Sequence, residues 1–169
     1  MIGCLDVFYK DNTASAAAVF IERWTDDRSF KEYVIKITGV AEYVSGEFFK
    51  RELPCVLQIL EHIKNQDHLN IEVLVIDGYV WLSEGRKGLG AYLFEALGGK
   101  IPVVGVAKSY FHQNNAVQVF RGKSQKPLYV SAIGVDVTCV AKNIQAMEGK
   151  HRIPSILKRV DALSKGITD

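Results

Sequence analysis

The chain has little of what staples a small secreted or zinc-bound domain. It carries only three cysteines, Cys4, Cys55 and Cys139, odd in number and without paired spacing. Each lies in an apolar pattern, so all three read as reduced core residues of a cytoplasmic protein. His62, His68, His112 and His151 show no ligand spacing with the cysteines, which argues against a structural zinc site. An excess of one charge is also missing. The 21 Lys and Arg face 19 Asp and Glu, a formal net charge of +2. No overall field of that size gathers nucleic acid, although a local basic surface is compatible with it. No apolar run approaches the length of a membrane span, and MIGCLDVFYKD lacks the pattern of a secretory signal. Repeats, low-complexity stretches and linkers are absent too. The 169 residues, 48% hydrophobic and 24% charged, are therefore expected to form one domain, 1–169, with a sizeable core.

What is present begins with IEVLVIDG, Ile71 to Gly78, a short apolar run closed by an acid and a glycine. Such a run predicts a central strand covered on both faces. Asp77 then stands at the strand's carboxyl end, where open α/β sheets place their ligands. Asp-Gly is also a common turn pair, so the position alone does not assign a role.

Two further acids sit where apolar residues are expected. Ile2 to Tyr9 alternates as a strand, with Ile2, Cys4, Asp6 and Phe8 on one face and Leu5, Val7 and Tyr9 on the other. A carboxylate in mid-strand needs a cation or hydrogen-bond donors. Ala14 to Trp24 and Phe30 to Thr38 predict second and third strands of an antiparallel meander. From Phe48 to Ile63 the period becomes helical, and Glu52 projects from the apolar stripe of Phe48, Leu53, Val56, Leu57 and Leu60. Pro54 places the start of the regular helix near Arg51, or kinks it. A buried salt bridge, with Arg51 for instance, is the structural alternative for Glu52.

The remaining chain predicts a helix from Arg86 to Leu97, a buried strand through Val106 ending at Lys108, and a hairpin from Asn114 to Arg121 and Pro127 to Ile133. Asp136 can cap a helix running to Met147, and Pro154 opens a last helix ending near Ser164. A meander followed by alternating helices and strands is a mixed α/β fold. Acids on strands one and four and on the intervening helix meet near one sheet edge, as in ribonuclease H-like nucleases. Three carboxylates suit Mg²⁺, a hard ion that prefers oxygen. Pairs of such ions about 3.5–4 Å apart clamp the attacking and leaving oxygens of a phosphodiester.

Six segments, in order, resemble the endonuclease V family, which cuts nucleic acid near hypoxanthine. They are LDVFY (Leu5 to Tyr9), YVSGEFFKRE (Tyr43 to Glu52), VIDG (Val75 to Gly78), PVVGVAK (Pro102 to Lys108), PLYVSAIG (Pro127 to Gly134) and HRIPSILKRVD (His151 to Asp161). The resemblance implies that Asp6 and Asp77 bind the metal, with Glu52 completing the site directly or through water. Mg²⁺ is the implied ion, with Mn²⁺ able to substitute. Lys108 is placed by the scissile phosphate; without its neighbours it would read as a solvated lysine at a strand end. Tyr43 is implied to wedge or stack against bases, although it also suits a sheet edge. Gly46, Gly78, Ser83 and Arg152 are the other implied substrate contacts.

The departures from the family pattern fall in the loop after Asp77. Val80 stands for a glycine there, Ser83 for a histidine, and Val135 for a histidine after the closing strand. Val80 thus carries a side chain where the family has bare backbone, so weaker discrimination for hypoxanthine is expected. Residues before the first strand and after the lysine strand are trimmed. The first hypothesis is a Mg²⁺-dependent endonuclease on inosine-containing DNA or RNA, single-stranded or locally distorted, acting as a monomer. A nuclease of relaxed base choice is the second, and a catalytically weak nucleic-acid-binding protein the third.

Overall fold

Alternation along the first strand divides the molecule into two cores. The computed structural model describes residues 1–168. In β1 (Ile2–Lys10), Ile2 and Cys4 enter one core, while Leu5 and, partly, Val7 and Tyr9 enter the other. β2 (Thr13–Ile21) and β3 (Lys31–Thr38) complete an antiparallel meander. α1 (Phe48–Gln66) then crosses to β4 (Val73–Asp77), followed by a small β5 (Trp81–Ser83) and β6 (Arg86–Lys87) ribbon. Next come α2 (Leu89–Ala96), β7 (Val103–Ala107), β8 (Val117–Val119), β9 (Leu128–Ile133), α3 (Val137–Ala146) and α4 (Ser155–Ser164).

The main sheet has the order β3-β2-β1-β4-β7-β9-β8, which puts β4 at its middle. β1, β4 and β7 run parallel, and β9 and β8 close the sheet antiparallel. This is the mixed α/β fold expected from the sequence. Val75, Val104, Val140, Ile144, Ile156 and Val160 pack one face with α3 and α4. Leu74, Ile76, Val56, Ile59, Ile63 and Leu93 pack the other with α1 and α2. β4 is apolar on both faces because helices cover both.

Several boundaries differ from expectation, each for a local reason. α1 starts at Phe48 and continues through Pro54. The proline is on the exposed side, where water can serve the Lys50 carbonyl that it leaves without a helical donor. Residues 86–87 form a strand rather than the start of a helix, because the Gly88 N–H is held by the Val80 carbonyl at 2.8 Å. The predicted strand over 114–121 shrinks to three residues, since Asn114 turns the chain through side-chain bonds to the Phe111 carbonyl and the Ala116 N–H. Cys139 is exposed, unlike Cys4 and Cys55. Asp136 caps the Cys139 N–H at 2.8 Å, and Val140, Ala141 and Ile144 take the inward face of α3.

Arg121 was not singled out by its sequence context, yet it is 5% exposed and organises the C-terminal third. Its guanidinium donates to the carbonyls of Gln145 (3.2 Å), His151 (2.9 Å), Arg152 (3.3 Å), Gly149 (3.2 Å) and Met147. Several of these carbonyls follow the end of α3, where a cation is favoured. Arg121→Met removes every one of these donors while keeping an unbranched side chain. We expect a loss of about 2–4 kcal/mol in urea unfolding. Unchanged stability would show that water replaces the arginine.

Candidate active site

β1 pairs with β4 only from Ile2 to Leu5, opposite Val73 to Ile76. One residue further along, the register brings Asp6, in the middle of β1, beside Asp77 at the carboxyl end of β4. β7 matches this edge, pairing Val106 with Asp77. Lys108, two residues on, donates to Asp77 Oδ2 at 2.7 Å. The close approach of the chain here requires a glycine in β7. A β-carbon on Gly105 would stand 2.5 Å from the Gly78 carbonyl oxygen and 2.8 Å from the Val80 nitrogen.

Asp6 accepts a hydrogen bond from the Ser164 hydroxyl on α4. Burial raises the Asp6 carboxyl above its ordinary range, the Ser164 bond opposes this, and the charge of Asp77 adds to it. Glu52 comes from α1 on the other side of the sheet and is 5% exposed. Burial, followed by the charges of Asp6 and Asp77, pushes its carboxyl well above the ordinary range. Its Oε2 has no hydrogen-bond partner among the described residues. The structural alternative, a salt bridge to Arg51, does not form: Arg51 lies over the Tyr9 ring at 4.0 Å. Burial lowers the tendency of Lys108 to stay protonated, but its bond to Asp77 and three nearby acids outweigh that and raise its pKa.

Asp161 is the residue that sequence reasoning passed over. It lines the same cleft as Asp6, Asp77 and Lys108. Its carboxylate accepts a hydrogen bond from the Lys165 ammonium at 2.6 Å, and its carbonyl accepts from the Ser164 hydroxyl that also serves Asp6. The available signal was the amphipathic period of α4, which puts Asp161 beside the inward residues Val160 and Ser164. Oxygen donors of this kind suit a hard divalent cation. Among the described residues, no three acid, histidine or cysteine side chains form a finished cage for one.

The other predicted contacts are dispersed. Tyr43 is 61% exposed in the loop between β3 and α1 and is not among the residues lining the acid cleft. Gly46 lines a separate groove with Phe48, Phe49, Arg86, Lys87 and Tyr92. Gly78 turns the chain after Asp77 with φ +116°. Ser83 ends β5, and Val135 is exposed beyond β9. Arg152 donates to the carbonyls of Pro127, at 2.7 Å, and Lys108, so its guanidinium braces the backbone. Val80 overturns an expectation. It is fully buried against α2, where a β-carbon on Gly90 would meet its Cγ2 at 2.6 Å. The valine fills core volume and does not narrow a surface pocket, so it gives no reason for weaker base discrimination. An unforeseen aromatic group also flanks Lys108. Tyr110 packs on Tyr129 at 5.7 Å, and the Tyr79 hydroxyl ties Ser109 and Phe111.

The raised Glu52 carboxyl has a consequence for stability. A carboxyl held above its unfolded value adds no penalty below pH about 4.3, and destabilises progressively as pH rises towards its folded value. In EDTA, wild-type stability should therefore fall as pH rises above the ordinary carboxylate range. Glu52→Gln, which mimics the protonated form, should fall less. Parallel curves in urea unfolding would show that Glu52 ionises in the folded protein without cost.

Comparison with known proteins agrees with this geometry. A family profile described as Endonuclease V matches residues 1–153. A candidate endonuclease of Schizosaccharomyces pombe is 30% identical over 110 residues, 64% of this chain and 42% of that protein. The aligned region thus spans less than half of that relative. The structure of Ciona intestinalis endonuclease V with a 24mer DNA containing an inosine followed by a ribo-adenosine superposes with TM-score 0.83 at 20% identity, covering 98% of this chain and 84% of that one. Streptomyces avermitilis endonuclease V gives TM-score 0.74 at 26% identity, covering 98% and 79%. The fold is ribonuclease H-like, and the chain belongs to the Endonuclease V family.

Proposed function

We propose that this protein is a divalent-metal-dependent endonuclease that hydrolyses a phosphodiester near hypoxanthine in DNA or RNA. The observation that carries this reading is the meeting of Asp6 and Asp77 with the buried, partnerless Glu52 oxygen beside Lys108. A carboxyl kept in a buried position next to two like charges raises its own pKa and destabilises the fold. A protein that only bound nucleic acid would have no need of it. The Ciona protein's inosine-containing DNA supports the choice of substrate.

Asp6 and Asp77 would hold the ion, Mg²⁺ or Mn²⁺, with Glu52 joining directly or through water. When bound, a divalent ion supplies Lewis-acid stabilisation of the charge developing on the phosphodiester. Lys108 would exchange its bond with Asp77 for one to the scissile phosphate, placing a fixed positive charge where negative charge grows. Arg152 would keep the Lys108 backbone in register for that exchange. Asp161 adds negative charge to the cleft, and Ser164 orients the Asp6 carboxylate. Tyr43, exposed on its loop, would stack against bases, worth about 1–3 kcal/mol per base. Gly46, Gly78 and Ser83 would contact the substrate around the ribbon and the turn after Asp77.

Asp6→Asn and Asp77→Asn keep shape but remove charge from a site proposed to hold a dication. Each should abolish Mg²⁺-dependent cleavage of a single-stranded inosine-containing oligonucleotide, with folding intact and stability in EDTA equal or higher. Lys108→Ala should reduce cleavage less. Cleavage unaffected by Asp77→Asn would place the active site elsewhere. An ion that binds only the folded state should also raise the melting temperature. Scanning unfolding with EDTA and with millimolar Mg²⁺ checks this, and equal midpoints count against the site.

A further inference from the structure

A cleft lined by several acids repels the polyanion it is proposed to cut, and a net charge of +2 gives no general compensation. The compensation has to be local. Two loops distant in sequence supply it. The β8–β9 turn, residues 122–127, exposes Lys123 and Lys126, and residues 149–152, ahead of α4, expose Lys150 and His151. They are fastened together from below. Arg121 donates to the carbonyls of His151 and Gly149, and a β-carbon on Gly122 would stand 2.5 Å from the Lys150 carbonyl oxygen. Arg152 then bridges from Pro127 to Lys108, so the basic seam ends beside the acid cleft.

Five of the other eleven lysines in the chain are held by an acid. Lys31, Lys50, Lys87, Lys108 and Lys165 each have a carboxylate within 2.8 Å. Lys123, Lys126 and Lys150 have no ion-pair partner among the described residues. Exposed Glu148 is the one acid within either loop or next to it in sequence. Gathering like charges without counter-charges costs free energy, and here buried hydrogen bonds of the underlying backbone hold them in place.

We propose that residues 122–127 and 149–152 form a phosphate track that holds the nucleic-acid strand leading to the acid cleft. The inference rests on the nuclease reading for the identity of the polyanion, but not on the chemistry of cleavage. The seam runs into Lys108, the side chain proposed to meet the scissile phosphate, and this continuity favours a nucleic-acid strand over an acidic protein. Arg121 acts as a positioning residue for the track, because its donors fix the carbonyl side of both loops.

The test compares Lys123→Gln/Lys126→Gln/Lys150→Gln with a control that removes equal charge elsewhere, Lys36→Gln/Lys64→Gln/Lys100→Gln. All six lysines are exposed, so both variants should keep the wild-type melting temperature. Binding of a fluorescein-labelled 20-nucleotide single strand with one inosine is followed by anisotropy in EDTA, from 50 to 200 mM NaCl. Each phosphate contact on a single strand contributes about 0.7 to the slope of log affinity against log salt, so losing three should lower the slope by about 2. In Mg²⁺ the track variant should raise KM with kcat retained, and the control should match wild type. A track variant with the wild-type slope, or a control that loses as much, overturns the track while leaving the nuclease reading intact. A wild-type protein that neither binds nor cuts any strand overturns both.

Discussion

Mutual repulsion among carboxylates is the constraint on which the rest of the sheet's carboxyl edge depends. Asp6 and Asp77 are forced together by the pairing of β1 with β4, Glu52 is pushed in from α1, and Asp161 arrives on α4. Each acid is relieved in its own way. Asp77 has the Lys108 ammonium, Asp6 the Ser164 hydroxyl, and Asp161 the Lys165 ammonium. Glu52 has burial and no partner for one oxygen, which favours the protonated form. Neighbouring cations, hydrogen-bond donors and protonation are the ways in which clustered acids lower their mutual repulsion. They also show why Lys108 belongs to the site electrostatically. It is the nearest cation to an acid that otherwise faces two of its own kind.

The strands that set this edge were legible because their side chains report period directly. A run such as VLVID has to be central, since no face of it is polar, and β4 is the middle strand of seven. Asp6 and Glu52 were conspicuous because each interrupts an apolar period. Asp161 interrupts nothing. It lies at the border of the inward face of an amphipathic helix, and the packing of α4 against β1 and β2 turns it into the cleft. Arg121 was invisible for a related reason. Its partners are backbone carbonyls, which carry no signature in a sequence.

Val80 shows how a local comparison misleads without its tertiary context. A glycine-to-valine difference in a loop beside an acid reads as an obstruction. In the fold, its side chain turns inward and the missing volume appears on α2 at Gly90, where a β-carbon would strike valine. The pair behaves as one unit of packing divided between two elements. Meanwhile the Val80 N–H is taken by the Ser131 hydroxyl at 2.9 Å and its carbonyl by Gly88, so the loop's backbone is fixed by its own chain. Whatever recognises a base around this loop must work with the groups that remain, and these differ from what the Val80 substitution alone implies.

Pairing and burial act in opposite directions across the two halves of the proposed substrate path. In the acid cleft, charges are close and Asp77 is paired, so an incoming phosphate competes with Asp77 for the Lys108 ammonium. On the loops at 122–127 and 149–152, charges are exposed and uncompensated, and their geometry is set beneath them by Arg121 and Arg152. A strand held first by the uncompensated lysines arrives at the cleft with part of its own charge already neutralised. That lowers the repulsion the acids present to the next phosphate along the chain. Binding and chemistry can then be served by different residues, joined at a single point where the Arg152 guanidinium meets the Lys108 carbonyl.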